Sequence, residues 1–197
     1  MSEVQPLRIH PFFQWIGRVS FRLAGWRVEG KLPDAPKAVA VVAYHTAQRD
    51  FLIALACTFI LGIKTNWIAK HTLFRPPLGW FMRAFGGIPV DRRRAHGIVG
   101  QVAKIIKERP YILFGVTPEG TRSRTEYWRS GFYRIAVAAD VPILLCYLDF
   151  KRKVAGVHEE LVYPSGDQEA DLAKIRAVYE GVTACYPDRV GPIRFRD

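Results

Sequence analysis

Three short segments of this chain carry the residue types that chemistry needs. In the first, His45 and Asp50 stand five positions apart, directly after the apolar run at 38–43. On one continuous helix such residues diverge by about 140° and share no face. With His45 in a loop and Asp50 in the first helical turn, the chain folds back and the carboxylate meets one imidazole nitrogen. That contact fixes the tautomer and leaves the other nitrogen as a general base. Taken alone, the pair reads more readily as a solvated loop histidine beside a helix-capping aspartate. The second segment is Gly86-Gly87-Ile88-Pro89-Val90-Asp91-Arg92, a tight turn that delivers a guanidinium able to grip phosphate oxygens. Arg93 and Arg94 follow, so a solvated basic cluster is the other reading. The third is Thr117-Pro118-Glu119-Gly120-Thr121-Arg122-Ser123, after the apolar run at 111–115. It is either a plain turn or a loop that combines carboxylate, amides, hydroxyl and guanidinium to hold a phosphate and a neighbouring hydroxyl.

Strand ends are where α/β proteins assemble sites, and the periodicity predicts such an order. A helix over 11–26 carries an apolar stripe of Phe12, Ile16, Val19, Leu23 and Trp26 with Arg18, Arg22 and Arg27 interleaved. It either lies in a lipid headgroup layer or packs on its own domain. A strand over 38–43, a helix over 51–62 and a strand over 65–69 follow. Then come a Pro76-Pro77 break, a short aromatic helix to Phe85 and a turn at Gly86-Gly87. A helix over 98–108, a strand over 111–115, a helix over 131–139, a strand over 143–148 and a last helix over 168–185 complete the chain. Alternation of this kind predicts an α/β domain, a central mixed sheet flanked by helices with an N-terminal amphipathic helix. Residues 1–30 form the membrane-contact helix of that plan, and 31–197 a single catalytic domain.

The order and content of the segments resemble the glycerolipid acyltransferase family, which includes the lysophosphatidate acyltransferases. His45 and Asp50 match the family's first block of His, four residues, Asp; Gly87 and Arg92 match its second. The run Pro-Glu-Gly-Thr-Arg-Ser at 118–123 matches the third in full, and Val141-Pro142-Ile143 the fourth. The likeness covers roughly 38–150. It implies a glycerol-3-phosphate acyltransferase-like fold, with His45 as base and Asp50 orienting it. Arg92, Glu119, Gly120, Thr121 and Arg122 would bind the acceptor, with Lys70 near it in a Lys-x-x-Leu-Phe-like stretch. The donor it implies is acyl-coenzyme A or acyl carrier protein, used as co-substrate without a resident cofactor or metal. The acceptor it implies is 1-acylglycerol-3-phosphate, in phospholipid biosynthesis. Tyr44 and Ala47, where members often have Asn and Ser, Thr117 in place of Phe, and Leu145 in place of Pro leave that acceptor open. A lyso-ornithine lipid or other lysolipid suits the same chemistry.

Composition agrees with anionic partners. Among 197 residues, 29 Lys and Arg face 18 Asp and Glu, a formal net charge of +11, which favours anionic lipid, nucleic acid or phosphorylated ligands. The basic residues are dispersed and no nucleic-acid recognition signature occurs, so a nucleic-acid-binding module is the weaker alternative beside a lipid-binding one. Cys57, Cys146 and Cys185 are odd in number, widely spaced and set in apolar surroundings, as small core residues in a reducing compartment would be. The longest uncharged apolar run, 51–63, is short of the ~20 residues that span a bilayer. Peripheral attachment to the cytoplasmic face of a membrane is therefore expected, with membrane lipids as partners and no oligomeric state specified.

Overall fold

A computed structural model describes residues 9–90 and 95–196 of the chain. Its sheet has seven strands: β1 (Arg27–Glu29), β2 (Lys37–Ala43), β3 (Thr65–Lys70), β4 (Gly87–Val90), β5 (Ile112–Val116), β6 (Ile143–Asp149) and β7 (Val154–Val157). They lie side by side in the order β1-β7-β6-β2-β5-β3-β4. All neighbours are parallel except β6 and β7, which form an antiparallel hairpin, so the sheet is mixed as expected.

The central strands are apolar at successive positions because both faces of the sheet are covered. Val39, Val41 and Ala43 of β2 point to a cluster built with three helices, α4 (Ala95–Glu108), α5 (Gly131–Ala139) and α6 (Gln168–Tyr179). Ala38 and Ala40, one residue out of phase, point the other way. There, further along the sheet, Phe21 and Cys57 pack over Leu148 and Ala155. Those two residues belong to α1 (Pro11–Ala24) and α2 (Gln48–Ile60). Val39 and Val41 are fully buried, and each contributes roughly 1.5–3 kcal/mol by leaving water.

α1 starts at Pro11, and the His10 imidazole accepts the Phe12 N–H at 3.3 Å. It stops at Ala24, before the expected position 26, because Gly25 turns left-handed at φ 70°. The freed chain then adds β1 to the sheet edge beside β7. α1 packs on α2 at very close range: a Cβ on Gly17 would stand 3.0 Å from the Ala56 carbonyl oxygen and from Phe59 Cβ. Phe13 meets Phe59 and Phe85 at ring separations of 5.5 and 5.6 Å. Phe85 follows α3 (Leu78–Ala84), so α3 ends on the α1–α2 side of the sheet. Phe12, Trp15, Leu78, Trp80 and Phe81 remain exposed there.

Other differences from expectation have local causes. Gly87 belongs to β4 rather than to a turn, and Gly86 alone makes the bend at φ 85°. The β6–β7 hairpin has no turn signal in the sequence, because its turn, Phe150-Lys151-Arg152-Lys153, lacks glycine and asparagine. It is held by Asp149, which accepts the Arg152 N–H at 3.1 Å and its guanidinium at 2.7 Å. α6 is capped by Asp167, which accepts the Glu169 and Ala170 N–H groups at 3.1 Å. It ends at Tyr179, short of 185, where Gly181 reverses the chain at φ 81° and Thr183 accepts the Phe150 N–H.

Candidate active site

The three polar segments meet where parallel strands end. β2 and β5 are adjacent and parallel, so the loops after Ala43 and Val116 emerge side by side. His45 lies in the first loop, and Asp50 is the third residue of α2. The carboxylate folds back over the loop: Asp50 Oδ2 accepts the Thr46 and Ala47 N–H groups, each at 2.7 Å. Ala47 is the helix N-cap and has no side-chain acceptor of its own, so Asp50 alone caps this end. A carboxylate here also suits the positive end of the helix dipole. The same Oδ2 stands 3.5 Å from His45 Nδ1, beyond the hydrogen-bond range of about 2.7–3.2 Å. It is an electrostatic contact with a buried carboxylate whose position two backbone amides hold. Nδ1 is thus the nitrogen that meets the acid, and Nε2 is the ring nitrogen turned away from it.

Glu119 approaches His45 from the other loop. Its Oε1 accepts the His45 backbone N–H at 3.1 Å. Only 8% of the residue is exposed, and Oε2 has no partner among the described residues. Burial pushes its carboxyl up to about 7, against which the N–H bonds at His45 and at Glu119 itself pull only partly. The Tyr44 hydroxyl is raised too, by burial and then by the Glu119 charge.

The rest of the third segment divides by role. Gly120 turns at φ 65° and spends its N–H on the Thr117 carbonyl at 3.2 Å, so it serves the turn. A Cβ there would stand 2.6 Å from Arg129 Nε. The Thr121 hydroxyl accepts the Ser123 N–H at 3.2 Å, and Arg122 is exposed. Arg92 lies outside the described residues. Lys70 closes β3 in register with Val90, and its side chain lies outside the described residues as well.

Sequence reading missed the C-terminal contribution altogether. After α6 the chain crosses the His45 loop, where the Tyr186 N–H donates to Thr46 Oγ1 and Arg189 Nη1 to the Thr46 carbonyl, both at 3.1 Å. With its own N–H on Asp50, Thr46 is held at every polar atom. The Tyr186 ring lies under the Arg189 guanidinium at 4.3 Å, with that of Arg49 at 5.8 Å. Arg49 also donates through Nε and Nη2 to Cys185 Sγ, at 2.9 and 2.6 Å. Cys185 is therefore a polar partner rather than the small core residue expected. Cys57 and Cys146 fit that expectation, their thiols pushed up to about 12 by burial. No local pattern around 185–189 signals these contacts, since their partners lie about 140 residues earlier.

The family model described as Acyltransferase matches residues 26–148. That span contains the His45 loop, the loop of Glu119 and Arg122, and strands β1 to β5 with β6 but for its last residue. Among solved structures, the crystal structure of the 1-acyl-sn-glycerophosphate (LPA) acyltransferase PlsC from Thermotoga maritima is similar, with a TM-score of 0.61 and 22% identity. The match covers 87% of this chain and 77% of that one; at this identity the likeness is one of fold. No curated protein matches the chain.

Proposed function

Because the chain belongs to the Acyltransferase family, we propose that it moves a fatty acyl group from a thioester to the hydroxyl of a lysophospholipid, with 1-acylglycerol-3-phosphate as acceptor. The observation that carries this reading is the buried Asp50 carboxylate set against His45 Nδ1, with Glu119 of the third segment tied to the same histidine. The acceptor hydroxyl gives its proton to His45 Nε2 as its oxygen bonds to the thioester carbonyl carbon. The resulting tetrahedral oxyanion collapses, the carbon–sulfur bond breaks, and the imidazolium returns the proton to the departing thiolate. The products are an ester and a free thiol, and no residue becomes acylated. Asp50 stabilises the transient imidazolium through charge and holds the ring.

Arg122 and Arg92 are assigned to the acceptor phosphate, for which guanidinium groups have matching geometry, and Lys70 to the same side of the site. The donor is an acyl thioester of coenzyme A or of acyl carrier protein. The acceptor and product partition into bilayers, so the site works at a membrane surface, attached peripherally. No described helix is long and apolar enough to cross a membrane. Exposed Phe12, Trp15, Trp80 and Phe81, all on the α1–α2 side of the sheet, support attachment through that side. The family's chemistry on a lyso-ornithine lipid is the second reading, which Tyr44 and Ala47 in the first segment leave open.

The test is release of free thiol from acyl-coenzyme A and acyl carrier protein in the presence of lysophosphatidate or lyso-ornithine lipid. Removing a general base costs about 10²–10⁴ in rate, so His45→Ala should lose turnover to that extent with an unchanged melting temperature. Near-normal thiol release by that variant would remove His45 from the mechanism.

A further inference from the structure

The loop that carries Glu119 continues into a surface rich in arginine. Residues 122–129 and 189–196 run side by side. The Trp128 N–H donates to the Arg194 carbonyl at 2.8 Å and Arg194 Nε to the Glu126 carbonyl at 2.9 Å, while Arg124 donates to the Val190 carbonyl. Buried Trp128 and Ile193, with half-buried Phe195, pin both segments to the cluster shared with α5 and α6. Above that anchor stand six exposed arginines: Arg122, Arg124 and Arg129 from one segment, Arg189, Arg194 and Arg196 from the other. Neither segment contains a lysine, and Glu126 is the one carboxylate in them. It lies 3.5 Å from Arg124.

Three of the six, Arg189, Arg194 and Arg196, are held by neutral groups. Arg189 is fixed by a backbone carbonyl and the Tyr186 ring, Arg196 lies 5.5 Å from the Tyr127 ring, and Arg194 is held by a carbonyl. Such contacts orient a guanidinium without cancelling its charge, so the entropy of ordering these side chains is largely lost before any partner arrives. Apart from Arg122, which is assigned to the acceptor, the groups spread along two chain segments instead of converging on a pocket, which fits a broad anionic face better than a single phosphate. Nor does the surface share a side with the exposed aromatic residues of α1 and α3. Those belong with α1 and α2 across the sheet, whereas this one is built on the α5–α6 cluster. Its anchoring therefore separates it from the candidate lipid contact, and its loop leads directly to Glu119 and His45.

We propose that this arginine surface is the docking site for an acidic acyl carrier protein that delivers the thioester to His45. The proposal rests on the acyl-transfer reading and adds the donor class and its landing place. Complementary charge acts mainly on encounter and register, so the surface raises use of the carrier-bound acyl group and leaves the chemical step alone.

The experiment compares the same acyl chain on acyl carrier protein, on coenzyme A and on pantetheine, with lysophosphatidate in neutral micelles and free thiol as the readout. The variant is Arg194→Glu with Arg196→Glu, checked by thermal melting, with the single Arg196→Glu deciding if the pair fails to fold. Electrostatic steering is worth about 10- to 10³-fold in association rate. The double variant should therefore lose about tenfold or more in kcat/KM for the carrier-bound donor and stay within about twofold for pantetheine. Raising salt from about 0.02 to about 0.3 M should depress the wild-type carrier rate in the same selective way. Equal losses on all donors, an unchanged carrier rate, or a wild type that uses the coenzyme A thioester and not the carrier overturns the proposal. So does a variant that loses only binding to anionic vesicles, since the surface then serves lipid. A wild type that releases thiol from none of the donors sinks the acyl-transfer reading itself, and this proposal with it.

Discussion

Glu119→Gln is the most informative single substitution, because it separates the buried carboxylate's charge from its hydrogen bond. The amide oxygen can still accept the His45 N–H that Glu119 Oε1 accepts at 3.1 Å, while the ionisable group is gone. Burial raises the carboxyl from an ordinary 4.5 to about 7. Between those values the folded protein keeps a proton that the unfolded chain has released, so this group makes wild-type stability fall as pH rises. Each tenfold difference in proton affinity between the folded and unfolded chain is worth about 1.4 kcal/mol. Integrated from about pH 5 to about pH 8, the wild type should lose roughly 2 to 3 kcal/mol that the variant keeps. The amide nitrogen adds a pH-independent offset, because Oε2 has no partner among the described residues. The slope of the difference is therefore the quantity to read. Urea denaturation of both proteins at several pH values gives it directly. Parallel stability curves, with a gap that changes by less than about 0.5 kcal/mol, would show that Glu119 titrates near its ordinary value and refute the reasoning.

Arg189→Ala removes one of the groups that hold Thr46. Arg189 is exposed, so the melting temperature should barely move, while kcat with a pantetheine thioester, a donor that bypasses the arginine surface, should fall about three- to tenfold with KM unchanged, because a misplaced His45 costs rate rather than binding. Steady-state kinetics checks this, and an unaltered kcat would show that Arg189 does not position the His45 loop. Trp15→Glu combined with Trp80→Glu replaces two exposed aromatic side chains on the α1–α2 side. Co-sedimentation with anionic vesicles should fall on the order of tenfold or more without loss of folding; full retention would move the membrane contact elsewhere.

The sequence by itself determined the α/β class and most of the element order. The apolar run at 38–43 is β2 but for one added residue, and the helix over 131–139 is α5 to the residue. Both were legible because strong local periodicity agrees with burial on the final sheet. The order of the polar blocks likewise carried the family, which the match over 26–148 shares. His45 and Asp50 were legible as a pair because a histidine in a loop and a carboxylate in the next helical turn are neighbours along the chain. What only the tertiary structure decided depends on residues remote in sequence. Adjacent β2 and β5 bring Glu119 to the His45 amide across 74 positions, and that burial changes the acid's character. The reversal after α6 puts Tyr186 and Arg189 on Thr46, and it gathers the arginines of two separate segments into one surface. Neither result leaves a local signature, because sheet order and chain crossings are set by which apolar faces pack together. The spacing of the residues they bring into contact plays no part in it.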